Sequence, residues 1–137
     1  MLAFVTGQYS NDPLFASEEF GYGGQFLGRA YDTSEIAGDK GIAASLELRY
    51  QMPHFNTNST STELYGFYDI GKTWNNDIGL TDNTELGASF GFGSRSIIKD
   101  FVVNFGLAWP LNTRITNSTI NQGDRNTRLF LQITYKF

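Results

Sequence analysis

The sequence predicts an all-β fold, an antiparallel up-and-down meander of about six strands, on three observations. Apolar and polar residues alternate with period two in stretch after stretch, as they do in strands with one polar face. Aromatic residues make up 15% of the chain and there are 15 glycines, a balance that favours strands and tight turns over helices. No helical periodicity competes with the alternation.

The first strand is Leu2 to Tyr9. In the next, Ile42, Ala44, Leu46, Leu48, Tyr50 and Met52 fall on one side, and Ala43, Ser45, Glu47, Arg49 and Gln51 on the other. In ELYGFYDI, residues 63–70, Leu64, Tyr68 and Ile70 oppose Glu63, Tyr65, Phe67 and Asp69. In TELGASFGFGSR, residues 84–95, Leu86, Ala88, Phe90 and Phe92 oppose Glu85, Gly87, Ser89, Gly91, Gly93 and Arg95. FVVNFGLAWPL, residues 101–111, sets Phe101, Val103, Phe105, Leu107, Trp109 and Leu111 against Val102, Asn104, Gly106, Ala108 and Pro110. The last, RLFLQITYKF, sets Leu129, Leu131, Ile133, Tyr135 and Phe137 against Arg128, Phe130, Gln132, Thr134 and Lys136. Between the strands lie a long polar segment, 10–41, a stretch rich in Asn, Ser and Thr at 53–62, loops at 72–83 and 112–126, and a tight turn at 96–100. This spacing suits a meander without a domain boundary, and 137 residues make one domain at most.

A soluble sandwich and a membrane barrel share this alternation, because one buries its apolar face inward and the other turns it to lipid. Three details point to the membrane. The strands run to about 10 residues, the length that crosses a bilayer at a tilt, against about 5 to 6 in soluble sheets. Tyr50, Tyr68, Trp109, Tyr135 and Phe137 sit toward strand ends on the apolar face, as interfacial girdles do. The opposite face carries glycines and the charges of Glu47, Arg49, Glu85 and Lys136, which suit a wet lumen.

Other classes find no support. A net charge of -4 without a cluster of Lys and Arg argues against a nucleic-acid partner. Without cysteine there is no disulfide framework, thiol chemistry or thiolate metal site. The N-terminal stretch lacks the basic, apolar and small-residue regions of a signal peptide, and no run approaches the about 18 apolar residues of a spanning helix. His54 has no companion at metal spacing and follows Pro53 in a turn, so no metal is expected. GYGG and GFGSRS break the G-x-G-x-x-G pattern at Phe26 and Ser96, so no dinucleotide cofactor is expected. No G-x-S-x-G elbow is present, and Asn58 and Asn117 head glycosylation sequons that say nothing in a bacterial host. The expectation is a protein with no cofactor and no catalytic residues.

The stretch from Phe20 to Tyr50 resembles the C-terminal barrel half of the haemolysin secretion/activation family, the two-partner-secretion transporters of the wider Omp85 superfamily. The likeness lies in ordered parts: a GG approach, Arg followed by an aromatic two residues on, GD-x-G at Gly38, Asp39 and Gly41, then LELRY. Downstream, YGFYDIGKTW looks like the family's aromatic-Asp-x-Gly strand and LFLQITYKF like its closing strand.

The resemblance implies a long extracellular loop folded back into the barrel, whose tip arginine pairs with an acidic residue on the inner wall. Gly28, Arg29, Ala30 and Tyr31 occupy the tip's V-R-G-[YF] pattern, and Asp69 matches the wall aspartate. Alternation independently places Asp69 opposite Leu64, Tyr68 and Ile70, hence toward the lumen. Gly28 stands where the pattern has Val and Ala30 where it has Gly, so a positive φ at the third position would strain Ala30. The terminal Phe137 matches the aromatic end that helps the barrel assembly machinery.

The resemblance further implies residence in the bacterial outer membrane, contact with its lipid, and ATP-independent passage of an unfolded exoprotein client through a gated barrel. The chain corresponds to about the last six strands of a sixteen-stranded barrel; the client-capturing POTRA domains and earlier strands are absent from it, and Met1 is expected to be an internal or fragment start. An Omp85-type assembly factor and a small passive porin or adhesin barrel remain as alternatives.

Overall fold

The computed structural model describes residues 1–53, 60–76, 84–111 and 126–136. The strands among them are β1 (Leu2–Gln8), β2 (Phe20–Tyr22), β3 (Ile36–Gly38), β4 (Lys40–Gln51), β5 (Thr60–Trp74), β6 (Thr84–Ile98), β7 (Phe101–Pro110) and β8 (Arg128–Tyr135). Six of them form one sheet in the order β1-β4-β5-β6-β7-β8, every neighbouring pair antiparallel, and β2 and β3 form a separate hairpin. The expected meander is therefore present. The long segment 10–41 differs from expectation in holding β2 and β3, and β4 begins at Lys40, inside that segment. The sheet is open: β1 and β8 are edge strands.

The strands alternate in direction, so connections 9–39, 75–83 and 111–127 leave one end of the sheet, and 52–59 and 99–100 leave the other. The last is a two-residue turn with Lys99 at φ 52°. Long connections at one end and short ones at the other are the habit of outer-membrane barrels, whose long loops face the cell exterior.

Burial runs opposite to that of a soluble sheet. Asp69 is fully buried while Leu64, on the opposite face of the same strand, is 42% exposed. Along β4, Ile42, Leu46 and Leu48 are exposed while Ala43, Ser45 and Glu47 are buried. An apolar face turned outward suits hydrocarbon, since exposing it to water would cost about 25 cal/mol per Å2. The predicted faces are those observed along β4 to β7, with Ala88 the one outward position that is buried; on the edge strand β8 both faces are exposed beyond Leu131.

What covers the inner face is the 9–39 segment itself. The hairpin of β2 and β3 lies against it, and Phe20, Tyr22, Tyr31, Ile36 and Ala43 form one buried cluster with Leu27 and Ala30 packed beside it. The sheet makes room with glycine. Gly71 and Gly87 face each other in the β5–β6 register, and a Cβ on either would enter the Tyr22 ring. Gly41 likewise lies flat beneath Phe20. These glycines bring the hairpin to backbone distance of the wall and so set the depth of the loop tip.

Candidate functional site

The tip is a β-turn, Gly28-Arg29-Ala30-Tyr31, closed by the Tyr31 amide donating to the Gly28 carbonyl at 2.8 Å. Gly28 has φ 67°, and a Cβ there would stand 2.7 Å from the Tyr22 ring. Neither Arg29 nor Ala30 has a positive φ. The strain expected at Ala30 is thus absent: the left-handed conformation falls two residues earlier, on a glycine.

This turn drives Arg29 into the inner wall, where it is 7% exposed. Its Nε and Nη2 donate to Oδ2 and Oδ1 of Asp69, both at 3.0 Å, a bidentate pair. The Arg29 amide donates to Asp69 Oδ2 at 3.2 Å. Nη1 reaches Glu47 Oε2 at 2.6 Å, and Nη2 also reaches Ser45 Oγ at 3.1 Å. The guanidinium carbon lies 3.5 Å from the centroid of the Phe67 ring. A planar cation with fork donors and a weakly hydrated face fits this socket, and an ammonium would not. Burial works against the charge of Arg29, and its bonds to Asp69 and then Glu47 outweigh that, holding its pKa above the ordinary value.

The sheet register assembles the socket. Ser45 pairs with Asp69 and Glu47 with Phe67 across β4 and β5, so all four side chains point inward at adjacent positions. The family resemblance implied Arg29 and Asp69 as partners and alternation placed Glu47 on the polar face, but neither gave Ser45, Glu47 and Phe67 as contacts of the arginine. Alternation gives their common face; only the β4–β5 register shows that they are neighbours.

Tyr31 fixes the far side of the turn. It is fully buried, its hydroxyl donates to the Ala88 carbonyl at 2.8 Å, and its carbonyl accepts from the Arg128 guanidinium on β8. Arg128 also pairs with Asp32 at 2.8 Å. Tyr22, stacked obliquely 5.6 Å from Tyr31, has its phenol pKa raised by burial and then by the Asp69 charge.

At the loop base, Asp39 is buried and accepts from two backbone amides, Leu14 at 2.5 Å and Asn76 at 2.6 Å. It ties the entry and exit of the 9–39 segment to the β5–β6 connection. Gly38 lies too close to Trp74 and Asn75 for a side chain, as Gly41 does to Phe20. Phe137 and His54 lie outside the described residues.

From Glu47 the charges continue along the wall: Arg49 Nε to Glu47 Oε1 at 2.8 Å, and Arg95 Nη1 to Glu63 Oε1 at 2.7 Å. Glu47, Arg49 and Arg95 border a cavity of about 260 Å3 beside Arg29, lined also by Phe4, Tyr65 and Phe130. Such a surface can hold a loop by charge and shape while staying wet. Among the described residues no group of three side chains could hold a metal ion.

The family model for haemolysin secretion/activation protein ShlB/FhaC/HecB matches residues 3–127. No curated protein and no solved structure matches the chain. With the inverted sheet and that match over nearly its whole length, the chain belongs to the haemolysin secretion/activation family of two-partner-secretion transporters, β-barrels of the Gram-negative outer membrane.

Proposed function

We propose that the chain carries the lock of a transporter that passes an unfolded exoprotein through a gated barrel without ATP. The 9–39 loop, anchored by Arg29 on Asp69, holds one state of the lumen, and its displacement opens the other. The observation that carries this reading is the buried bidentate pair between a loop arginine and a wall carboxylate. Removing one member of such a pair leaves an uncompensated buried charge, at a cost of about 3 to 5 kcal/mol. Withdrawal of the whole loop is different, because water entering the lumen rehydrates both charges. A lock of this kind is stable to damage at neither end, yet it can be released as a unit.

Outer-membrane lipid is the partner of the outward apolar face, and the barrel assembly machinery is the partner of the terminal Phe137 during biogenesis. The lock is tested by secretion assays on the outer-membrane protein that carries this chain. Arg29→Ala and Asp69→Ala should each impair export of the exoprotein at normal barrel levels. Wild-type secretion by both variants would sink the role.

A further inference from the structure

We propose that Lys40 and Lys72 form a binding site on the outer surface for the phosphate group of an outer-leaflet lipid. Both lie on the outward face, in line with Ile42 and Ile70, at the end of the sheet from which the long connections leave. In the β4–β5 register Lys40 pairs with Trp74 and Ile42 with Lys72, which makes the lysines diagonal neighbours with Cβ atoms about 7 Å apart. Two ammonium groups at that spacing can close on one phosphate. Each is already held over a ring: Lys40 Nζ lies 5.0 Å from the Tyr9 centroid and Lys72 Nζ 4.8 Å from that of Trp74.

Charge pairing separates the arginines from the lysines, and position then separates these two lysines from the rest. Arg29, Arg49, Arg95 and Arg128 each pair with a carboxylate, whereas no carboxylate among the described residues pairs with Lys40 or Lys72. Lys99 and Lys136 likewise have no carboxylate partner among the described residues but stand at the opposite end of the sheet, whereas Lys40 and Lys72 share the outward face beside Tyr9 and Trp74 at the end of the long connections. The occupant is a lipid and not a free ion or a peptide, because the strands below the lysines present Ile42 and Ile70 to hydrocarbon. An ammonium beside an interfacial Trp and Tyr, above an apolar band, stands at headgroup depth.

The test uses the complete outer-membrane protein carrying this chain, purified in uncharged detergent, with bis-phosphorylated lipid A as probe and native mass spectrometry of retained lipid as readout. Lys40→Gln/Lys72→Gln should retain at least about tenfold less lipid A than wild type, each lysine near anionic headgroups contributing several-fold. The control pair Lys99→Gln/Lys136→Gln, at the opposite end of the sheet, should retain as much as wild type. Dephosphorylated lipid A should bind poorly to all three. Equal retention by both double variants would overturn the site, and displacement of lipid A by equimolar inorganic phosphate would overturn its assignment to a lipid. All four side chains are surface groups, and unchanged heat-modifiable migration on gels verifies that each variant is folded.

Discussion

The Ser45 hydroxyl donates to Asp69 Oδ1 at 2.6 Å, from the position directly across the β4–β5 pair. One lone pair of the carboxylate is therefore occupied by its own wall, which fixes the plane in which Oδ1 and Oδ2 meet the guanidinium. The socket is oriented by the sheet; the loop only has to enter it. Losses on the wall and losses on the loop should then differ in kind.

Asp69→Ala should uncover Arg29. The chain offers a direct probe, because trypsin cleaves after arginine and Arg29 is buried in the intact tip. With Asp69 gone the guanidinium loses both bidentate bonds and keeps only Glu47, and a deficit of about 3 kcal/mol shifts the equilibrium toward the withdrawn loop by more than a hundredfold. Trypsin added to intact cells should cut the Arg29–Ala30 bond at least tenfold faster in this variant than in wild type. An unchanged rate would mean that Asp69 does not hold the loop.

The wall positions should rank as Asp69, then Glu47, then Ser45. Glu47→Gln keeps the Asp69 bidentate pair and retains an acceptor, but it weakens one bond to Arg29 and one to Arg49. Ser45→Ala removes a neutral donor whose net contribution is about 1 kcal/mol, while leaving Arg29 both carboxylates. The same cleavage assay should give the largest rate for Asp69→Asn, an intermediate one for Glu47→Gln and one within about tenfold of wild type for Ser45→Ala. A Ser45→Ala rate matching Asp69→Asn would show that orientation, and not charge pairing, dominates.

The hairpin seat is a separate determinant. Gly71→Ala places a methyl group inside the Tyr22 ring, so the hairpin must rise from the wall although every polar contact of Arg29 is chemically intact. The Arg29–Ala30 bond should become cleavable, and Gly71→Ala/Tyr22→Ala should recover part of the protection, a non-additivity expected only of residues in contact. Gly66→Ala is the control, since its Cβ would stand 3.8 Å from the Gly91 carbonyl oxygen, an ordinary contact. Equal protection in Gly71→Ala and Gly66→Ala would remove the seat from the account.

Strands and faces were legible in the sequence because side chains alternate along a strand whatever surrounds it, so Leu64 and Asp69 could be sent to opposite sides. The Arg29–Asp69 contact spans forty positions and was legible only through resemblance to a family, since alternation says nothing about which loop residue meets the wall. Ser45, Glu47 and Phe67 share a legible face, but their contact with Arg29 depends on strand register, which alternation leaves free by steps of two. β2 and β3 escaped because three residues are too short to show a period, and FGY and IAG are paired by what lies beneath them. Arg128 on Tyr31 joins the last strand to the first loop, a contact no local pattern encodes.

Gly28→Val would restore the residue that the family's tip pattern carries at this position, and here it should break the tip. At φ 67° a β-branched residue is strained by about 1 to 3 kcal/mol, and its Cβ would also meet the Tyr22 ring at 2.7 Å. Ala30→Gly restores the pattern's other residue at a position without a positive φ, where it adds only backbone freedom of about 0.5 to 1 kcal/mol. In the cleavage assay Gly28→Val should therefore expose Arg29 at least tenfold, and Ala30→Gly by no more than about fivefold. If the double variant Gly28→Val/Ala30→Gly regained wild-type protection, the two departures would be a coupled exchange. The turn would then have two solutions, with the left-handed residue before the arginine in this chain and after it in the other.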